Sequence, residues 1–340
     1  MSEKRVTIGD ISSALGISTS TVSRALSGRG YVAAEVKTRI HEAARRMGYV
    51  PDLTARNLRQ RSSSTIGLVV TTLLDPFYAR LAAGFQEVAR TQGYEVVLIL
   101  DQADPKEELA AVESLIAMGV SGVAITPVTA RAVNRIKEYG LPLLQIDRSV
   151  SADHSLVAGD NRAGARMATQ YLLEKNHQRI AFVIDHVNWT SGSDRLAGWR
   201  EAYETAGRDA PEELFFTLGD SHSQIVEGIP AALKRMRAAG VTAIFAANSV
   251  VAQELYLKLL EAGIRVPEDT SLVAYDDLHW TLMVRPAVTV VSQHVDELGR
   301  HAADTLLRAV GQGAGGGIPL RIYIRPTLVE RGSVLPISSE

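Results

Sequence analysis

The stretch VTIGDISSALGISTSTVSRAL, residues 6–26, spaces its apolar side chains as two short amphipathic helices separated by a tight turn. Thr7 stands where an N-cap is needed, Asp10 follows in capping-box position, and Ile8, Ile11 and Leu15 recur at the helical period. Gly16 supplies the turn, Ser18 a second N-cap, and Val22 with Ala25 or Leu26 a second apolar stripe. Two buried stripes this close in sequence must pack crosswise. Thr19, Ser20, Ser23 and Arg24 then face outward near the start of the second helix, the end that a helix-turn-helix protein presents to base edges in the major groove. Arg24 carries the two-pronged guanidinium that matches guanine O6 and N7. On spacing alone, an ordinary helical hairpin with a polar outer face is the other reading.

Charge separates the two. Residues 1–61 hold 11 Lys plus Arg against 5 Asp plus Glu, a net of +6; the whole chain is −2, so the remainder is −8. A basic head whose charges interleave with helical apolar positions fits the neutralisation of DNA phosphates, with binding that weakens steeply in salt. The acidic body needs a different partner, and the layout suggests a regulator with a separate sensor.

At 340 residues and 46% hydrophobic, the chain is long enough for roughly two or three folded units. No run approaches the roughly 18 apolar residues of a membrane span, and MSEKRVTIGD lacks a signal-peptide core, so the expected location is the cytoplasm and no membrane partner is expected. With no cysteine there is neither disulfide nor thiolate metal site. The eight histidines show no metal spacing, and His41-Glu42 lacks the second His of a zinc protease. No Gly-x-Gly-x-x-Gly follows the first strand and no Walker loop occurs. These absences argue against an enzyme and leave no cofactor or metal to expect, although doubly wound folds host much catalysis.

A third helix is expected over Ala34–Met47, with Ile40, Ala43, Ala44 and Met47 closing a three-helix core and Gly48 and Pro51 ending it. The segment Leu53–Gln60 is too short to hold a helix alone in water, and is expected to order beside a second copy on DNA. A polar linker, RSSST, follows at 61–65. The organisation is therefore a head at 1–50, a hinge and linker at 51–64, and a core at 65–340. From Ile66 onward short apolar runs alternate with helical patterns, with strands expected at 66–70, 95–100, 122–126, 142–146, 180–184, 213–217, 242–246, 271–275 and 288–291. That count exceeds one comfortable sheet and the rhythm restarts near Asp160, so the fold class is α/β: an all-α head plus two doubly wound lobes.

A cleft between such lobes is lined by residues at the carboxyl ends of strands. Those positions carry Asp75, Asp101, Asp147, Arg148, Asp160, Arg195, Asn248, Asp276 and Gln293. Carboxylates, amides and a guanidinium bind adjacent hydroxyls in pairs, while Phe77, Trp189 or Trp280 can cover an apolar sugar face. Any one of these is as readily a loop-capping Asp or a core aromatic; the repetition carries the argument.

The segments VTIGDISSALGISTSTVSRALSG, GYVPDLTARNLRQRSSSTIGLV, DNRAGARMATQYL, DRLAGWREA, AYDDL and TVVSQHVDELGRHAADTLL occur in an order that resembles the LacI/GalR family of bacterial transcription regulators. The resemblance implies a helix-turn-helix domain, a hinge helix and a core similar to periplasmic sugar-binding proteins. It places Thr19, Ser20 and Arg24 at base-reading positions and Thr7, Thr21 and Ser23 at backbone contacts. Leu58 falls at the position that wedges into the minor groove, flanked by Arg56 and Arg59; a wedge of this kind needs two hinge helices side by side, hence a homodimer on a pseudo-palindromic operator. In the core it implies effector contacts at Asp160, Arg195, Asn248, Asp276 and Gln293, with Thr71, Phe77, Trp189, Ser221 and Trp280 as further pocket residues.

Three departures from the family pattern bear on the ligand. Asn248-Ser249 stands where Asn-Asp is common, so one carboxylate is absent; His294 stands where proline is frequent; Asp52 begins the hinge where Asn is common. The expected function is a repressor controlled by a sugar, polyol or sugar acid bound between the lobes, acting through its differential affinity for two states. A corepressor mode with a purine is the alternative, which an aromatic-clamped, carboxylate-poor pocket would mark. A periplasmic transport receptor shares the core architecture but has no use for a basic head.

Overall fold

The computed structural model describes residues 6–27, 30–49, 63–313 and 318–338. The chain divides into two units, residues 1–62 and 63–340. In the first, α1 (Ile8–Leu15), α2 (Thr19–Ser27) and α3 (Ala34–Arg46) enclose Ile11, Val22, Ala25, Ile40, Ala43 and Ala44. Thr7 Oγ1 accepts from the Asp10 N–H at 3.3 Å and the Asp10 carboxylate accepts from the Thr7 N–H at 2.8 Å, so both orphan amides at the helix start are satisfied. The chain turns at Gly16, φ 64°, which a side chain would strain. Ser18 Oγ accepts from the Thr21 N–H at 3.3 Å and opens α2. The segment 53–60, with Arg56, Leu58 and Arg59, lies outside the described residues, as does Asp52.

The second unit holds two six-stranded sheets. The first orders β11 (Arg321–Ile324), β5 (Ser155–Gly159), β4 (Leu143–Ile146), β3 (Val123–Ile125), β1 (Thr65–Val70) and β2 (Glu95–Leu100), all parallel. The second orders β12 (Thr327–Val329), β10 (Thr289–Ser292), β9 (Ser271–Tyr275), β8 (Ala243–Ala246), β6 (Ile180–Ile184) and β7 (Phe215–Thr217), parallel except for β12. The strand order is the same in both sheets, with the last edge strand parallel in the first and antiparallel in the second. Every expected strand is present with bounds shifted by two residues at most; β5, β11 and β12 are additions, β5 because SLVAG follows a polar run that reads as a loop.

Helices cover both faces of each sheet, which is why the strands are nearly uninterrupted apolar runs. In the first lobe, helix Pro76–Thr91 packs on helix Val295–Gln312 with a glycine at each side of the contact: a Cβ on Gly84 would strike the Asp296 carbonyl, and one on Gly299 the Leu81 carbonyl. In the second lobe, Gly198 of helix Thr190–Thr205 similarly meets the Arg162 carbonyl of helix Asn161–Glu174. These close approaches fix helices Pro76–Thr91 and Thr190–Thr205, whose first turns face the cleft.

The chain passes between lobes three times, after β5, after β10 and after β11. The crossings are tied: the Asp160 N–H donates to the Ile324 carbonyl at 2.9 Å, and His294 Nε2 lies 3.1 Å from Thr327 Oγ1. His294 has φ 52°, a backbone conformation that proline cannot adopt.

Candidate functional site

A cavity of about 50 Å³ lies at the seam of the lobes, lined by Asp75, Phe77, Tyr78, Asp147 and Arg148 from the first and by Asp185, His186, Trp189, Arg195, Asn248, Ser249, Asp276 and Gln293 from the second. Nearly every lining residue follows the carboxyl end of a strand or opens the next helix, where parallel sheets leave side chains unpaired and pointing out. A larger outer cleft adjoins it and includes Thr71, Gln102, Asp220 and His222.

Asp147 and Asp276 occupy equivalent places, one residue past β4 and β9, with φ 68° and 74°. Aspartate is among the few residues other than glycine that tolerate this conformation. Asp276 Oδ1 accepts from Gln293 Nε2 at 2.7 Å. Gln293 reaches it by lying over the backbone of Gly159, where a Cβ would come within 2.5 Å of Gln293 Oε1. Arg195 is held beneath, donating to Asn161 Oδ1 at 2.8 Å and to the Ala247 carbonyl at 2.7 Å, its guanidinium 3.9 Å from the centre of the Tyr275 ring. Arg148, 1% exposed, donates to the Pro127 carbonyl at 2.7 Å, to Thr71 at 3.2 Å and to Tyr78 at 3.4 Å.

Three contacts join the lobes across the cavity. Ser249 Oγ donates to the Asp75 carboxylate, 3.1 and 3.0 Å from its two oxygens. The Arg148 guanidinium sits 3.5 Å from the centre of the Trp189 ring, and the Ser149 N–H donates to Thr190 Oγ1 at 3.0 Å. Burial raises the pKa of all four lining carboxyls, with the arginines opposing it; Asp276 is pushed up to about 6.

The structure brings Phe77, Trp189, Arg195, Asn248, Asp276 and Gln293 together in the cavity and Thr71 into the adjoining cleft. It places three candidates elsewhere. Asp160 accepts from the Ala163 N–H at 2.9 Å as a helix cap, and Ser221 forms a capping box with Gln224 on an exposed turn. Trp280, half-buried, packs against Tyr256 at 5.5 Å between ring centres, at the edge of the second-lobe core. Asp185, His186, Tyr78 and Ser249 join the site without having been candidates. Asp185 has the same strand-end signal as Asp147, directly after β6; Tyr78 has none, since it is one apolar position of a helix. Asp101 is fully buried at its turn and accepts from the Ala103 N–H at 2.9 Å.

In the head, Thr7, Thr19, Ser20 and Arg24 are exposed, Thr21 and Ser23 half-buried. The Arg24 side chain folds back on α2, Nε donating to the Ser20 carbonyl at 3.3 Å. Among the described residues no group of three or more His, Asp or Glu is arranged to hold a metal, and no helix is long and apolar enough to cross a membrane.

A capped three-helix head and a two-lobed α/β core with a polar seam cavity define the class as that of DNA-binding regulators. The family model for bacterial regulatory proteins of the lacI family matches residues 7–52, and that for periplasmic binding proteins and the sugar-binding domain of the LacI family matches residues 63–327. The chain belongs to the LacI family, a class of DNA-binding transcriptional repressors. It is 29% identical over 333 residues to the ribose operon repressor of Escherichia coli, covering 96% of this chain and 99% of that one. It is 29% identical over 346 residues to the transcriptional repressor PurR of Haemophilus influenzae, covering 97% and 99%. The lac repressor dimer bound to operator and the anti-inducer ONPF shares the fold, with TM-score 0.83 at 24% identity over 98% of this chain and 100% of that one.

Proposed function

We propose that this chain is a homodimeric cytoplasmic repressor whose operator affinity is set by a sugar or related polyol bound in the seam cavity and which that effector releases from DNA. The observation that carries the effector class is the cavity lining: four carboxylates, two amides and two guanidinium groups supplied by both lobes, with Phe77 and Trp189 as apolar walls. Adjacent hydroxyls are bound by such groups in pairs. A purine corepressor, the reading favoured by likeness to PurR, calls for a pocket poor in carboxylates and clamped by aromatics; this one has four aspartates. Because the lining comes from both lobes, a ligand there biases their relative orientation, and it controls DNA binding only through its differential affinity for the two arrangements.

The DNA-reading set is Thr19, Ser20 and Arg24 on bases, Thr7, Thr21 and Ser23 on phosphates, and Leu58 between Arg56 and Arg59 in the minor groove. Selection from random duplexes with the purified protein should recover a pseudo-palindrome, bound less tightly when the effector is added. Leu58→Ala should weaken that binding and leave the dimer and effector affinity intact. Recovery of sites without two-fold symmetry would refute the dimeric reading, and tighter binding on adding the effector would refute induction.

A further inference from the structure

We infer that the cavity accepts an uncharged, hydroxyl-rich effector and rejects the sugar acid and the sugar phosphate built on the same carbon skeleton. This rests on the sugar reading above and narrows it.

The argument is an inventory of donors and acceptors. The donors lining the cavity are partly engaged within the protein: Arg148 by Pro127, Thr71 and Tyr78, two of the five Arg195 N–H groups by Asn161 and Ala247, and Ser249 by Asp75, while the buried Nδ1 of His186 has no partner among the described residues. The Asn248 amide donates to Asp185 at 3.1 Å and the Gln293 amide to Asp276 at 2.7 Å. Acceptors are in surplus. Each carboxylate offers about four lone-pair sites, yet Asp276 receives Gln293 alone, Asp147 receives Tyr78 at 3.5 Å, and Asp185 receives Asn248 and the His186 N–H. Gln293 Oε1, in a side chain 1% exposed, has no partner among the described residues.

A ligand fits this lining by donating. Hydroxyl groups donate and accept; an ionised carboxylate or phosphate only accepts. It would also bring negative charge beside four aspartates facing two arginines, where burial weakens the screening that water provides. The Ser249–Asp75 pair adds to this, since one of the second-lobe hydroxyls that line the cavity is already turned onto a carboxylate.

The test is thermal shift and calorimetry of the full chain with two matched series: ribose, ribitol, ribonate and ribose 5-phosphate; glucose, glucitol, gluconate and glucose 6-phosphate. The expected result is stabilisation by a neutral member, with its anionic counterparts at least about thirtyfold weaker. In Asp147→Asn and, separately, Asp185→Asn, each first checked for cooperative melting, that gap should narrow several-fold. An anionic member that binds as well as its neutral parent overturns the inference while leaving the sugar reading standing. Silence in both series with a shift from hypoxanthine or guanine overturns the sugar reading itself.

Discussion

Ser249 and Asp75 come from different lobes, yet the serine hydroxyl lies 3.1 and 3.0 Å from the two oxygens of the aspartate. Ser249 stands beside Asn248 where the family resemblance leads one to expect a carboxylate, and its hydroxyl meets the Asp75 carboxylate of the other lobe. Ser249→Ala removes one cross-cleft hydrogen bond and should weaken effector binding about threefold to tenfold by calorimetry. Ser249→Asp sets two carboxylates face to face and should cost more. Restoration of binding in Asp75→Ser/Ser249→Asp would establish that the pair needs one carboxylate in total; a double variant no better than Ser249→Asp would reject it.

Trp189 is the cavity wall on which Arg148 stacks, whereas Trp199 is fully buried and Trp280 packs against the second-lobe core, outside the cavity lining. Effector binding should therefore change tryptophan emission through Trp189. In Trp189→Phe the change should be lost, and affinity should fall by an amount in keeping with a partly desolvated cation–π contact of about 1–2 kcal/mol. An undiminished emission change in that variant would place the ligand elsewhere.

Asp276 titrates near pH 6 because burial disfavours its ionised form. A carboxyl whose folded pKa is raised from 3.8 to about 6 binds its proton more tightly in the folded chain, so its favourable contribution is complete below about pH 4 and is lost as pH rises through about 6. The melting temperature of Asp276→Asn relative to the parent should therefore rise across that window, a comparison that cancels Asp101, which also titrates near 6. A hydroxyl donating to the ionised carboxylate makes effector affinity fall on acidification, approaching tenfold per pH unit well below 6. Affinity independent of pH between 5 and 7 would remove Asp276 from direct contact.

His294→Pro restores the residue common in the family but demands a negative φ where the chain has +52°. The variant should melt several degrees lower, reflecting a cost above about 1 kcal/mol. His294→Gly, which tolerates positive φ and loses only the contact with Thr327, should melt closer to the parent. Equal stability of the proline variant would show that the crossing rearranges freely.

Much of this protein was determined by local sequence. Thr7, Asp10, Gly16 and Ser18 specify the head because capping and turn chemistry act within a few residues, and the apolar runs specify the strands because sheets covered on both faces demand them. The strand-end rule also found Asp75, Asp147, Arg148, Asn248 and Asp276, since a residue just past a parallel strand faces the cleft. Tertiary structure decided which of these polar residues meet. Asp160 and Ser221 have the same local appearance as Asp276, yet their oxygens are spent on helix amides. Trp280 was indistinguishable from Trp189 until packing put one against a core and the other on a cavity wall. Pairings such as Ser249 with Asp75, 174 residues apart, arise from the closing of two lobes, and no local pattern encodes a contact whose partners belong to different cores.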